Sequence, residues 1–212
     1  IFAGVTQFQR PRGAPVADHA IPFDRPYLLV TPGGGGDGEA LVDWVLRAYE
    51  QDPNPAYPAL LVFGPFMQQE KQAEFARRTA DLDLVEAITF EANIEPLIQG
   101  AAGIVAMGGY NTFCEILSFD KPALVVPRTV PRMEQFIRAD RAQELGLLRM
   151  LTDDGIRDAR DMATALRHLP QQNRPSDVVV PGLLDGLPNV NRLARRLSSR
   201  RGTSIAAVAE RG

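Results

Sequence analysis

The stretch Tyr27-Leu28-Leu29-Val30-Thr31-Pro32-Gly33-Gly34-Gly35-Gly36-Asp37-Gly38 decides the fold. Its apolar opening reads as a buried strand, and a run without polar alternation needs cover on both faces of a sheet. Pro32 stops the strand and the glycines form a loop. From Asp37 to about Tyr49, Leu41, Val42, Val45 and Leu46 fall on one face of a helix, with Asp37 placed to cap it. Strand, glycine loop and helix make one βα unit of a parallel sheet.

The same unit recurs along the chain. Leu60-Leu61-Val62-Phe63 predicts a second strand and Gln68 to Ala80 a polar helix. Val85 to Phe90 predicts a third strand, followed by a short helix from near Asn93 through Ile94, Leu97 and Ile98. Gly103 to Met107 reads as a fourth strand ending at Gly108-Gly109, with Tyr110 to Phe119 as its helix. Pro122 to Val126 is a fifth strand, Met133 to Leu145 a helix, Leu147 to Leu151 a short edge strand and Ile156 to Leu169 a helix. Residues from Gln171 to Pro188 read as loop, and Asn189 to Arg200 as a basic helix. The class expected is α/β: a doubly wound, parallel, Rossmann-like sheet of five or six strands over residues 27–170.

Composition excludes several other functions. The 212 residues carry a formal net charge of −3, which gives no field to attract nucleic acid. No apolar run reaches the roughly 18 residues that span a bilayer. The single cysteine, Cys114, rules out an internal disulfide and fits a reducing, cytoplasmic compartment. His19 and His168 are far apart, and no Cys/His cluster or Asp-x-Asp pair is present, so no metal or cofactor is expected. Cys114 reads as a small packed hydrophobe.

Three segments at predicted strand ends carry the chemistry. In the first, Gly33, Gly34, Gly35 and Gly36 let a ligand approach backbone amides, and the following helix start favours a phosphate or diphosphate. The spacing Gly33-x-Gly35-x-x-Gly38 matches a dinucleotide fingerprint, yet the second strand ends Phe63-Gly64-Pro65-Phe66 without the acidic residue that would hold a ribose. A P-loop is excluded because no Gly-Lys-Ser/Thr follows. An ordinary strand-to-helix loop is the alternative reading.

In the second segment, Gly108-Gly109-Tyr110-Asn111-Thr112-Phe113-Cys114-Glu115, another glycine pair opens another helix. Thr112 and Glu115 are three residues apart and share a helix face, where a carboxylate can accept from both hydroxyls of a ribose. A solvated glutamate is the alternative. In the third, Pro127-Arg128-Thr129-Val130-Pro131-Arg132-Met133-Glu134-Gln135, the guanidiniums of Arg128 and Arg132 suit phosphate, and Glu134 with Gln135 suits sugar hydroxyls. The alternative there is a plain loop opening a charged helix. The basic helix, with Arg192, Arg195, Arg196 and Arg200, suits an anionic membrane surface, or solvent, or a partner domain.

Together these segments resemble the C-terminal half of the GT-B glycosyltransferases, most of all the lipid II-forming N-acetylglucosaminyltransferase family. The likeness runs from about Tyr27 to Leu151. It includes the glycine loop, Phe90-Glu91-Ala92-Asn93-Ile94, the stretch Gly109 to Ile116, Lys121 to Pro127, and Glu134-Gln135. Phe2-Ala3-Gly4-Val5 resembles that family's interdomain link, which implies that residues 1–26 are a linker; the sequence itself reads as a loop and a helix packing back over 171–200 and as a disordered tail over 201–212.

The resemblance implies a donor site for a nucleoside diphosphate sugar, UDP-linked and metal-free. Gly34, Gly35 and their neighbours would hold the diphosphate, and Phe90, Glu91 and Ile94 the base. Glu115 would hold the ribose, and Glu134 and Gln135 the sugar. It further implies a missing N-terminal domain that brings the acceptor and the catalytic base. This chain would then bind nucleotide without turnover, in the cytoplasm or at the inner membrane face. Two features depart from the pattern. The loop lacks the Ser or Thr typical of the family, and Arg128-Thr129-Val130-Pro131-Arg132 is similar to a stretch of UDP-N-acetylglucosamine 2-epimerase. An epimerase and a non-catalytic nucleotide-binding domain are therefore the alternatives.

Overall fold

The computed structural model describes residues 20–34 and 36–209. The linker expected over residues 1–26 lies outside the described residues as far as position 19, as do Gly35 and everything beyond 209. The strands are β1 (Leu28–Thr31), β2 (Ala59–Val62), β3 (Val85–Ile88), β4 (Gly103–Ala106), β5 (Ala123–Val125) and β6 (Arg149–Met150). They form one parallel sheet of six strands in the order β3-β2-β1-β4-β5-β6. Every residue of β1, β2, β4 and β5 is buried, as unalternated apolar runs require, while the edge strands β3 and β6 are only partly covered.

Helices α1 (Glu39–Gln51), α2 (Gln69–Ala80), α3 (Glu95–Gly100), α4 (Tyr110–Ser118), α5 (Glu134–Glu144) and α6 (Ala159–His168) connect and follow the strands. Helix α1 packs on α2 and α6, and α3 packs on α4. That grouping puts α1, α2 and α6 on one face of the sheet and α3, α4 and α5 on the other, the doubly wound arrangement the sequence predicts. Trp44 of α1 is buried and donates its indole N–H to the carbonyl of Asp158 at 2.8 Å, which ties α1 to the start of α6. The sheet unit ends at Val179, and the residues from Val180 on belong to a second unit. Within it lies α7 (Gly186–Ala209).

Several boundaries differ from the sequence reading, for local physical reasons. The predicted strands overrun by one or two residues because Phe63, Met107 and Val126 stay buried in the turns above the sheet. Apolar character marks burial there, not ladder pairing. Helix α6 begins at Ala159 instead of Ile156, since the Asp158 carboxylate accepts from the Arg160 amide at 2.9 Å and caps it. Asp37 does not cap α1: the N-cap is Gly38, and the Asp37 carboxylate is paired with Arg128. Helix α7 runs Gly186–Ala209 where Asn189 to Arg200 is predicted. Pro188 falls in its first turn, where a missing N–H costs no hydrogen bond.

Candidate functional site

Strand order reverses between β1 and β4, and in open parallel sheets ligands occupy the crevice beyond the carboxyl ends at that reversal. Both glycine segments end there. Thr31 pairs with Ala106, so the two glycine turns leave the sheet from the paired ends of neighbouring strands. Neighbouring parallel strands are roughly 4.8 Å apart, which sets the two turns side by side. Gly33 has a φ of +92° and Gly108 a φ of +79°, a region that side chains rarely enter. The end of β2 closes against them: a side chain at Gly64 would bring its Cβ within 2.5 Å of the Gly33 carbonyl oxygen.

The first turn is open. Among the described residues a Cβ at Gly34 would meet no atom within 4 Å, and Gly34 and Gly36 are exposed. At its far end Asp37 forms an ion pair with Arg128, whose Nη2 is also 3.6 Å from the Glu134 carboxylate. The Arg128 backbone amide donates to Gln135 Oε1 at 3.2 Å, and Gln135 is buried. Arg128 Nε is buried without a partner among the described residues. One guanidinium thus joins the glycine loop, the segment after β5 and the start of α5. Beside it opens a cleft of about 320 Å³ lined by Asp37, Met107, Val126, Arg128, Asp153 and Arg157, among others. A second cavity, of about 630 Å³, is lined by β6, by α6 as far as His168, and by Gln171 and Gln172. Leu169 touches Gly103 at the start of β4, so the end of α6 lies at the opposite edge of the sheet from the glycine turns.

The second turn is tight. A Cβ at Gly108 would lie 2.7 Å from Val125 Cγ1. Arg138 of α5 donates from Nη1 to the Gly108 carbonyl at 2.7 Å, and its guanidinium lies 5.6 Å from the Tyr110 ring centroid and 6.0 Å from that of Phe113. Helix α4 follows, with Thr112 in its first turn and Glu115 in its second, both half-buried.

The sequence profile of the glycosyltransferase family 28 C-terminal domain matches residues 28–173, well over half of the chain. The chain belongs to this family. Among curated proteins, an uncharacterized glycosyltransferase of Methanosarcina acetivorans is 30% identical over 133 residues, which are 63% of this chain and 33% of that protein. A counterpart in Methanosarcina mazei is 30% identical over 132 residues, 62% of this chain and 32% of its own length. The chain therefore spans about a third of these relatives. Among solved structures, the calicheamicin glycosyltransferase CalG4 matches with a TM-score of 0.56 at 18% identity, over 95% of this chain and 45% of that one. MurG of Acinetobacter baumannii matches with a TM-score of 0.51 at 18% identity, over 70% of this chain and 48% of that one. The fold is the C-terminal half of a GT-B glycosyltransferase.

Within this family 28 domain the structure brings together Gly33, Gly34, Gly108 and Gly109 at the switch point, and Arg128, Glu134 and Gln135 beside them. Phe90 is exposed at the end of β3, whereas Glu91 is buried and its carboxylate accepts from the Asn93 amide at 2.8 Å. Ile94 is the N-cap of α3. Arg132 is exposed in the segment before α5. Gly35 lies outside the described residues. Sequence reasoning missed Gly64, Asp37 as the partner of Arg128, and Arg138. A signal for the last existed: Arg138 follows Glu134 by four residues and so shares its helix face. Among the described residues no helix is long and apolar enough to cross a membrane.

Proposed function

We propose that this domain binds the donor of a sugar transfer, a nucleoside diphosphate sugar with UDP as its nucleotide, and that the complete protein passes the sugar to an acceptor. The observation that carries the reading is the pair of glycine turns that leave neighbouring strand ends at the switch point, each leading toward a helix start. Backbone amides and helix starts suit a diphosphate without a metal, and they stabilise the charge that develops as the sugar leaves. Gly33, Gly34, Gly35, Gly36, Gly108 and Gly109 hold the diphosphate in this account.

Phe90 offers an exposed ring to the base beside Ile94, and Glu91 contributes backbone, because its carboxylate is engaged by Asn93. Glu115 and Thr112 take the ribose, and Glu134 and Gln135 the sugar. Arg128 and Arg132 are the cations for the leaving diphosphate. The catalytic base and the acceptor belong to an N-terminal domain, so this chain by itself binds donor without turnover. The protein works in the cytoplasm, and α7, with Arg192, Arg195 and Arg196, is the element suited to an anionic membrane face.

Calorimetric titration of the 212-residue chain with UDP, GDP, dTDP and NAD tests the donor. Selective UDP binding, weakened about ten- to a hundredfold by Glu115→Ala through loss of charge-assisted hydrogen bonds, is the expected result. Tighter binding of another nucleotide, or an unchanged affinity in the variant, contradicts it. The Arg128-to-Arg132 stretch favours one second reading, an epimerase using the same crevice. Release or interconversion of the sugar from UDP-N-acetylglucosamine by the complete protein without any acceptor distinguishes the two.

A further inference from the structure

We infer that Arg138 is a positioning residue for the donor diphosphate, acting through the peptide between Gly108 and Gly109; the inference rests on the donor-site reading above. That peptide is flanked by two glycines, whose dihedrals rotate with little steric resistance, so it can flip unless it is held. Its two orientations differ in what they offer an anion. One presents the Gly109 N–H, the other the Gly108 carbonyl oxygen, whose partial negative charge repels phosphate.

Arg138 selects between them. Its Nη1 donates to the Gly108 carbonyl at 2.7 Å, from α5. A trans peptide points its carbonyl and its N–H in opposite directions, so holding the carbonyl toward α5 turns the Gly109 N–H to the other side. Next to β4 in the sheet stands β1, with the glycine loop that follows it.

The guanidinium is itself fixed. It lies over the rings of Tyr110 and Phe113 at 5.6 and 6.0 Å from their centroids, in the first turn of the helix that the peptide opens. Val125 packs against the Gly108 Cα and blocks any side chain there, which leaves the carbonyl as the handle by which this turn can be held. A lysine keeps the charge but not the flat fork that stacks and donates at once, so Arg138→Lys does not substitute.

The test compares UDP with uridine on the wild-type 212-residue chain and on Arg138→Lys and Arg138→Met, following the Gly109 amide resonance during each titration. Loss of one charge-assisted hydrogen bond predicts UDP affinity about tenfold lower in both variants. Uridine affinity should stay unchanged, and the Gly109 resonance should no longer respond to UDP. Equal losses for UDP and uridine indicate a general packing role and overturn the inference. Unchanged UDP affinity in both variants overturns it too. If the wild-type chain binds neither compound, the donor-site reading fails first and this inference falls with it.

Discussion

The turn after β1 and the turn after β4 look alike in sequence, each a glycine run between a buried strand and a helix, yet they are built in opposite ways. Around Gly34 a side chain would meet no described residue within 4 Å, and the far end of that turn is held by the half-exposed pair of Asp37 and Arg128. At Gly108 a side chain would strike Val125 at 2.7 Å, and a guanidinium from a neighbouring helix grips the carbonyl. Packing demands glycine at Gly108 in the second turn, though not at the neighbouring Gly109. In the middle of the first, at Gly34, no described residue demands it, and the space left open suits something brought in from outside. An exposed glycine with no internal reason is thus the stronger pointer to a ligand.

The largest expected effect that would break this contrast is at Gly108. Alanine there meets both a positive φ and the stiff, buried Val125, and should cost about 2–4 kcal/mol in denaturant unfolding. A cost within about 0.5 kcal/mol, the range of ordinary surface changes, would mean that Val125 yields and that the two turns are not different in kind. Gly34→Ala should do the reverse. Stability stays within about 0.5 kcal/mol while UDP affinity falls about tenfold, since the added methyl stands where the diphosphate approaches backbone. A fall in stability without a fall in affinity would exchange the roles of the turns.

Smaller still is the effect of Asp37→Asn, which removes the ion pair to Arg128. Both side chains are partly exposed, at 40% and 31%, so the loss of stability should stay below about 1 kcal/mol and shrink further at high salt. A loss well above that, insensitive to salt, would show the first turn to be as firmly built as the second.

The buried strands were legible because a parallel sheet covered on both faces needs unbroken apolar runs, and β1, β2, β4 and β5 are such runs. Strand order followed only from the doubly wound class: nothing local to Leu28–Thr31 tells the chain to pair it with both β2 and β4, and only that order makes the two glycine turns neighbours. In the site, glycines and carboxylates at strand ends could be read from residue type and spacing. Arg138 could not be read as a clamp, because its partner is a backbone carbonyl 30 positions away. Asp37 misled for a related reason. Its position before a helix fits a cap, but a guanidinium 91 residues distant competes for the carboxylate.

The central claim, that both turns together cradle one diphosphate, is tested most directly by titrating UDP into the isotopically labelled 212-residue chain and following its backbone amides. The account predicts that the amides of Gly34 and Gly36 in the first turn and of Gly109 and Tyr110 in the second shift together, with one common Kd. Shifts confined to one turn, or gathered around the cavity beside β6 and α6, would contradict it.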